Sequence, residues 1–198
     1  MGRSGWRGGE VRLWSRNGND FTAKFPDVQV ALARQVDVDC VLDGELVVWT
    51  GNRLDFDALQ QRMASTAATV RRRLAPAQPA SFVAFDVLAI DSVDVRPMRW
   101  TARRTRLESL AAGWTPPLQL SPATADADEA MEWLEPFKTS GVEGLVVKGA
   151  SSRYLPGRRE WLKVKHRDTV EAIIGAVTGS LQHPEILVVG RYRGKELK

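Results

Sequence analysis

The residues best suited to chemistry are acidic and basic side chains that lie within or beside apolar segments. Asp43 and Glu45 stand two positions apart in Leu-Asp-Gly-Glu, inside an apolar stretch that predicts a strand. Alternate residues of a strand point to the same side, so the two carboxylates share a face. Such a pair is costly unless it binds a cation or a polar ligand. The alternative is an Asp-Gly turn followed by an exposed glutamate, and this fragment alone leaves both open.

A second group combines one acid with several lysines. Glu143 precedes and Lys148 ends the segment Glu-Gly-Leu-Val-Val-Lys, and Lys163 and Lys165 alternate with apolar residues in Trp-Leu-Lys-Val-Lys. Two ammonium groups on one strand face repel each other unless an anion lies between them, and a triphosphate is the natural candidate. The alternative is a pair of lysines on a strand that faces solvent.

Phe85 and Arg16 are weaker candidates. Phe85 follows an apolar strand-like segment and is either a core residue or a flat ring that stacks on a base. Arg16 belongs to the turn Ser-Arg-Asn-Gly, from which an arginine could reach a phosphate.

The basic residues are concentrated in one segment. Residues 148–167 contain seven Lys or Arg and one acid, a local charge of +6, whereas the whole chain carries +4. This concentration indicates an anionic partner, either phosphate or nucleic acid. A solvated basic face is the alternative.

The elements that must position these residues are short strands and helices in irregular order. Helical patterns cover residues 28–35, 55–74, 101–112 and 126–140, of which the third should have a Ser or Thr cap. Strand patterns cover residues 10–15, 41–49, 82–90, 118–121, 145–148, 161–165, 170–177 and 186–192. Because strands and helices do not alternate regularly, the pattern predicts an α+β fold with antiparallel sheets.

Composition sets the class of protein. The 198 residues, 43% of them hydrophobic, suffice for the core of one domain and a short piece of a second. The single cysteine, Cys40, excludes an internal disulfide and a cysteine-rich metal site, and its apolar surroundings predict a core residue. No apolar run approaches the ~20 residues of a membrane span, and the N-terminus has no apolar signal core, so we expect a cytoplasmic protein without a membrane partner.

In order and spacing, five motifs together resemble those of ATP-dependent DNA ligases, particularly the bacterial ones. They are Ser-Arg-Asn-Gly at 15–18, Asp-Gly-Glu at 43–45, Phe-Asp-Val-Leu at 85–88, Glu-Gly-Leu-Val-Val-Lys at 143–148 and Trp-Leu-Lys-Val-Lys at 161–165. RNA ligases and mRNA capping enzymes are also covalent nucleotidyltransferases, but the text between the motifs resembles DNA ligases more. The resemblance implies a nucleotidyltransferase or ATP-grasp-like adenylation domain in residues 1–168. Residues 169–198 would be the start of an OB-fold domain, including its first strand.

The resemblance also implies a role for each motif residue in binding ATP. Phe85 would stack on adenine, and Glu45 and Glu143 would serve the ribose and a catalytic Mg²⁺ or Mn²⁺. Lys163 and Lys165 would hold the α-phosphate and stabilise charge in the transition state.

The remaining motif residues would contact further phosphates. Lys148 would be an additional phosphate contact of the nucleotide, and Arg16 would contact the nucleotide or the 5′-phosphate of the nick. The DNA backbone would be met by Arg153, Arg158 and Arg159.

The family reaction joins nicked DNA in three steps. A lysine takes AMP from ATP, the AMP moves to the 5′-phosphate of a nick, and the 3′-hydroxyl displaces it to close the strand. The lysine belongs to a Lys-x-Asp-Gly motif, and no such motif occurs in the 198 residues. We therefore expect a chain truncated before that motif, without its first nucleotide-binding strand.

This departure from the family pattern has structural and functional consequences. The sheet should have an unpaired edge, and the chain alone should be unable to charge itself with AMP. The alternative is a non-catalytic remnant that binds ATP or nicked DNA. The expected partners are ATP and nicked double-stranded DNA, and we expect a monomer.

Overall fold

The computed structural model describes residues 2–7, 10–158, 160–165, 172–194 and 196–197, with the backbone alone for residues 2–7, 193 and 197. The chain divides into two units, Met1–Lys165 and His166–Lys198. All of the sequence candidates except Arg159, which lies outside the described residues, fall in the described part of the first unit.

The first unit is built on a seven-stranded sheet. Its strands follow the order β2-β1-β3-β5-β6, with β4 pairing to β3 and β7 to β5. The strands are β1 Gly2–Arg7, β2 Glu10–Ser15, β3 Cys40–Thr50, β4 Arg53–Leu54, β5 Ala80–Ile90, β6 Val93–Asp94 and β7 Leu118–Leu120. Every pairing in this sheet is antiparallel except β5 with β7. The mixed helix and antiparallel-sheet architecture expected from the sequence is thereby confirmed.

The sheet contains a strand before Ser-Arg-Asn-Gly that the sequence analysis did not predict. Strand β1 lies between β2 and β3, with Gly2 opposite Ser15 on one side and Gly44 on the other. The register also places Arg7 opposite Glu10. The backbone of residues 2–7 therefore joins β2 to β3 in the sheet.

Helices cover the sheet and connect its strands. They are α1 Pro26–Gln35, α2 Phe56–Ala64, α3 Ala67–Thr69, α4 Ala75–Ala77, α5 Trp100–Ala111, α6 Ala127–Glu132 and α7 Leu134–Thr139, with a 3₁₀ turn at Thr22–Lys24 and a π-helical segment at Val70–Leu74. Helix α1 buries Val28, Ala31 and Leu32, the i, i+3 and i+4 positions of one face.

Three helix predictions need correction. The helix expected over 55–74 ends at Ser65, and a new one starts from Thr66, whose side chain accepts a hydrogen bond from the Thr69 amide. The helix expected over 126–140 breaks at Trp133, because Pro136 has no amide hydrogen to donate to the preceding turn. The N-cap of α5 is Arg99, without a side-chain cap.

The core lies between one face of the sheet and the helices. It includes Leu42, Leu46 and Val48 of β3 together with Phe82 and Val87 of β5. Cys40 is also in this core, as predicted, with only 4% of its surface exposed.

A buried ion pair ties helices α1 and α2 to the start of β5. Arg62 Nη1 lies 2.9 Å from both carboxylate oxygens of Asp27, and its Nη2 donates to the Gln78 carbonyl. Asp27 Oδ2 also accepts from the Ala80 amide at 2.7 Å. The pair thereby fixes the entry of the strand that carries Phe85.

The remaining strands form separate two-stranded sheets. In the first unit, β8 Gly144–Val147 pairs antiparallel with β9 Leu162–Lys165. In the second unit, β10 Ile173–Gly179 pairs with β11 Pro184–Gly190, and β12 Tyr192–Arg193 with β13 Glu196–Leu197. Within the described ranges, no helix is long and apolar enough to cross a membrane.

Candidate functional site

A bulge in β5 orients Phe85 and Asp86. Asp43 of β3 pairs with Asp86, but the next residue, Gly44, pairs with Ala84, so Phe85 is the extra residue on its strand. Such a bulge changes which side chains reach each face of the sheet. Phe82 and Ala84 belong to the core before the bulge and Val87 after it, so both Phe85 and Asp86 are turned away from the core.

The acids of the Asp-Gly-Glu motif share that outer face. Strand β3 runs through the motif without a turn, and Leu42 and Leu46 are core residues on either side of it. Alternation therefore places Asp43 and Glu45 on the opposite face, as predicted. Their surroundings differ, because Asp43 is 3% exposed whereas Glu45 is exposed to solvent.

Glycines beside both candidate acids are required for close packing. A Cβ on Gly44 would lie 2.5 Å from carbons of the Phe82 ring and 2.7 Å from the Val83 carbonyl oxygen. At Gly144, where φ is +151°, a Cβ would collide with the carbonyl oxygen of Val164. These contacts explain why glycine follows Asp43 in one motif and Glu143 in the other.

Beneath Phe85 lies a buried network of charges. Asp86 forms a two-pronged ion pair with Arg103 of α5, at 2.8 Å from Nε to Oδ1 and 3.0 Å from Nη2 to Oδ2. The two side chains are 1% and 0% exposed. Arg103 Nη1 also donates to the carbonyls of Met98 and Ser152. The arginine thus links β5 to the loop that leads from β8 to β9.

Tyr154 connects the same loop to β3. Its hydroxyl donates to Asp43 Oδ2 at 2.6 Å, and its ring lies 5.8 Å from the guanidinium carbon of Arg103. Since Asp43 and Asp86 stand opposite each other on neighbouring strands, their negative charges need neighbouring donors and cations. Tyr154 and Arg103 supply part of that compensation.

Lys148 supplies a further positive charge. Its Nζ donates to the Phe85 carbonyl at 3.1 Å and lies 3.6 Å from Asp86 Oδ2. Only 9% of the side chain is exposed. Burial lowers the pKa of Lys148 to about 8, although Asp86 and Asp43 act in the opposite direction. Desolvation thus outweighs the attraction of the two carboxylates at this lysine.

Two aromatic rings enclose the Lys148 ammonium. Its Nζ lies 4.6 Å from the centroid of the Phe85 ring and 4.1 Å from that of Trp161. The two rings meet edge to face, with centroids 6.0 Å apart and planes at 86°, and Tyr154 packs on Trp161 at 5.7 Å. Phe85 remains partly accessible at this site.

The other two candidate lysines, Lys163 and Lys165, lie on strand β9, which pairs with β8. Gly144 pairs with Lys165 and Val146 with Lys163, and alternation places both lysines on one face of β9. Lys165 Nζ donates to Glu143 Oε2 at 2.7 Å, and both side chains are largely exposed. This hydrogen bond, with the charges of Lys165 and Lys163, lowers the pKa of Glu143.

The arginine candidates are exposed at separate loops. Arg16 follows β2 in a tight turn, where the Gly18 amide donates to the Ser15 carbonyl and Gly18 has φ of +82°. Arg153 and Arg158 lie in the connection between β8 and β9 and are also exposed.

The structure therefore brings together a set that the sequence suggested only in part. Phe85 and Lys148 are in contact, and Glu143 is hydrogen-bonded to Lys165. Among these described residues, Glu45 and Arg16 form no hydrogen bond or ion pair with the other four. Trp161, Tyr154 and Arg103 were missed as members of the site. Trp161 begins the Trp-Leu-Lys-Val-Lys motif, but a single sequence does not indicate which distant aromatic residues meet.

A metal site is not preformed by side chains alone. Across the described residues, no group of three or more His, Cys, Asp or Glu could hold a metal ion. Glu45 and Glu143 are nevertheless exposed, and the lowered pKa of Glu143 favours its charged form. Carboxylate oxygens fit Mg²⁺ or Mn²⁺ when other ligands come from water or a bound phosphate.

Comparison with known proteins gives a consistent family. The model of the ATP dependent DNA ligase domain matches residues 4–165. The chain is 37% identical over 167 residues to DNA ligase C2 of Mycolicibacterium smegmatis, with 84% of this chain and 47% of that protein covered. It is 36% identical over 171 residues to DNA ligase C of Mycobacterium tuberculosis, with 84% and 48% covered. The chain thus spans about half the length of the curated relatives it matches.

Solved structures agree with this family. The ligase domain of Mycobacterium tuberculosis LigD is 30% identical and superposes with a TM-score of 0.65, covering 100% of this chain and 61% of that one. A mycobacterial DNA ligase D in complex with ATP and MES is also 30% identical, with a TM-score of 0.64 and coverage of 96% and 58%. Because the family model matches residues 4–165, most of the 198 residues, the chain belongs to the ATP-dependent DNA ligase family.

Proposed function

We propose that the first unit is the nucleotide-binding part of an enzyme that joins nicked DNA strands at the expense of ATP. The observation that carries the proposal is the Phe85 site. An outward-turned ring on the β5 bulge lies against Lys148 and against Trp161, the residue just before the lysine-bearing strand β9. A related ligase has been solved in complex with ATP, which supports ATP as the nucleotide.

Adenine stacks on Phe85 in this proposal. The ring is turned away from the core and half-buried, so one part of it is supported by protein and another is accessible. A flat purine gains most from such a ring, because stacking removes apolar surface from water on both partners. Trp161, perpendicular to Phe85, forms a wall of the same site.

The phosphates extend toward β9. Trp161 and Lys163 are two residues apart, about 7 Å along an extended chain, and Lys165 follows on the same face. The two ammonium groups hold the α-phosphate and stabilise the charge that develops on it during transfer. Lys165 is paired with Glu143, and in this proposal the lysine shares its charge between that carboxylate and the phosphate.

Glu45 and Glu143 hold a Mg²⁺ or Mn²⁺ ion and contact the ribose. The ion supplies charge neutralisation at the phosphates when it is bound. The hydrogen bond from Lys165 and the charges of Lys165 and Lys163 lower the pKa of Glu143 and so favour its carboxylate form.

DNA binding falls to exposed arginines. Arg16 contacts the nucleotide or the nick 5′-phosphate, and Arg153 and Arg158 contact the DNA backbone, because phosphate contacts are made mainly by Arg and Lys. Arg159 is proposed for the same role on the basis of the motif alone. Residues 169–198 are proposed as the beginning of an OB-fold domain that helps to grip the DNA.

Enzymes of this family pass AMP from ATP to a lysine and then to the nick. No Lys-x-Asp-Gly occurs in the 198 residues, so this chain binds ATP without accepting AMP. A nucleophilic lysine and its neighbouring cations are needed for the first step, whereas binding of the base depends on Phe85.

Titration of the 198-residue chain with ATP tests the proposal. Phe85→Ala should weaken ATP binding about tenfold, because loss of an aromatic stacking partner costs roughly 1–3 kcal/mol. Phe56→Ala is the matched control, since Phe56 is 66% exposed on α2, and should bind ATP like the wild type. Equal affinities of the wild type and Phe85→Ala would contradict the assigned adenine site.

A further inference from the structure

Lys148 contacts both the main chain and the ring of Phe85, the residue proposed to stack on adenine. Its Nζ donates to the main-chain carbonyl of Phe85, the bulged residue, and lies against the rings of Phe85 and Trp161. The side chain is 9% exposed. In this arrangement the ammonium group is already surrounded by a carbonyl, a carboxylate and two rings, which leaves little of it accessible to a phosphate.

The contacts of Lys148 fix both the position and the tilt of Phe85. The hydrogen bond holds the backbone of the bulge, and the cation–π contact holds the ring. The same ammonium group contacts Trp161, whose ring is at 86° to that of Phe85. The Lys148 ammonium therefore helps to fix the angle between the rings of Phe85 and Trp161.

Lys148 is one cation of a larger buried network. Asp86 pairs with Arg103 and lies 3.6 Å from Lys148 Nζ, and Tyr154 donates to Asp43. Loss of the Lys148 ammonium would remove its hydrogen bond to the Phe85 carbonyl as well as its contacts with the two rings.

We propose that Lys148 is a positioning residue, which orients Phe85 and Trp161 for the base of the nucleotide and does not contact its phosphates. This inference rests on the proposed nucleotide-binding function. It assigns the lysine that ends the Glu-Gly-Leu-Val-Val-Lys motif to recognition of the base, whereas Lys163 and Lys165 serve the phosphates.

Binding of adenosine and of ATP by the 198-residue chain distinguishes the two roles. Lys148→Met keeps an unbranched side chain of nearly the same length and removes its charge. It should weaken the binding of adenosine and of ATP by the same factor, about tenfold. Lys163→Met is the matched control on exposed β9 and should weaken ATP while leaving adenosine unchanged. Lys148→Arg, which retains a cation that stacks on aromatic rings, should restore most of the adenosine affinity.

Each result has a definite meaning. Loss of ATP affinity alone in Lys148→Met would show a phosphate contact and overturn the inference, as would unchanged affinity for both ligands. Failure of the wild type to bind either ligand would instead overturn the proposed nucleotide-binding function.

A measurement on the wild type removes dependence on folding of the variant. Ring currents of Phe85 and Trp161 should shift the Lys148 Hε resonances upfield, and these resonances are identified by their loss in Lys148→Arg. Adenosine should move them and inorganic triphosphate should not. Movement with inorganic triphosphate alone would contradict the positioning role.

Discussion

Stability at high pH tests whether Lys148 is a buried cation. Its pKa falls from the usual 10.5 to about 8 in the folded chain because burial disfavours the charged form. Between these values the unfolded chain binds more protons than the folded one, so stability rises with pH. The penalty for the buried charge is fully present below about pH 8, and it is relieved as pH approaches 10.5, the pKa of the lysine in the unfolded chain.

The size of this effect follows from the pKa shift. A shift from 10.5 to about 8 corresponds to about 3 kcal/mol in total, at roughly 1.4 kcal/mol per unit. Between about pH 7 and about pH 9.5 the relief amounts to about 2 kcal/mol, because part of it appears only above that range.

Urea unfolding of the wild type and Lys148→Met across this range measures the effect. The difference in unfolding free energy, wild type minus variant, should rise by about 2 kcal/mol from about pH 7 to about pH 9.5. Titration of other groups is common to both proteins and cancels in the difference. A difference that does not change with pH would refute the burial of a charged Lys148.

Other side chains give further expectations. Burial raises the pKa of Cys40 to about 12, so its contribution to stability is lost as pH rises above the usual pKa of 9.0. Above that pH, the unfolding free energy of Cys40→Ala, measured in urea, should therefore decline less than that of the wild type. Arg103→Leu should lower the unfolding free energy by about 3–5 kcal/mol, because it leaves Asp86 buried without its main partner; Arg106→Leu, exposed on the same helix, should change it by less than ~0.5 kcal/mol. Gly44→Ala should cost about 1–3 kcal/mol by crowding Phe82, whereas Gly113→Ala, with no atom within 4 Å of the added carbon, should cost little. A loss in Arg106→Leu equal to that in Arg103→Leu, or in Gly113→Ala equal to that in Gly44→Ala, would contradict the packing described.

The sequence was most informative where pattern and burial coincide. Strand β2 follows from its alternation, the central parts of β3 and β5 follow from their apolar composition, and the α+β class follows from the order of elements. Helix breaks at Ser65 and Trp133 were missed because local caps and Pro136 competed with an otherwise continuous helical composition.

The site was predicted as a set of motifs and not as a set of contacts. Phe85 was placed by resemblance, but the bulge that turns it outward depends on pairing with β3, which local composition does not specify. The resemblance implied a phosphate contact for Lys148, whereas the positioning role proposed above rests on its neighbours Trp161 and Asp86, which come from other segments of the chain. Long-range pairing decides such roles, and one sequence contains little information about it.

The most direct test of the ligase-type nucleotide site uses ATP labelled at the α-phosphate. The 198-residue chain is incubated with labelled ATP and Mg²⁺, and one half is analysed by filter binding while the other is run on a denaturing gel. We expect label retained on the native protein, competed by adenosine and reduced in Phe85→Ala, with no label on the denatured chain. Absence of native binding would contradict the nucleotide site, and a labelled band on the denaturing gel would show that another lysine, with Lys24 the first to examine, accepts AMP.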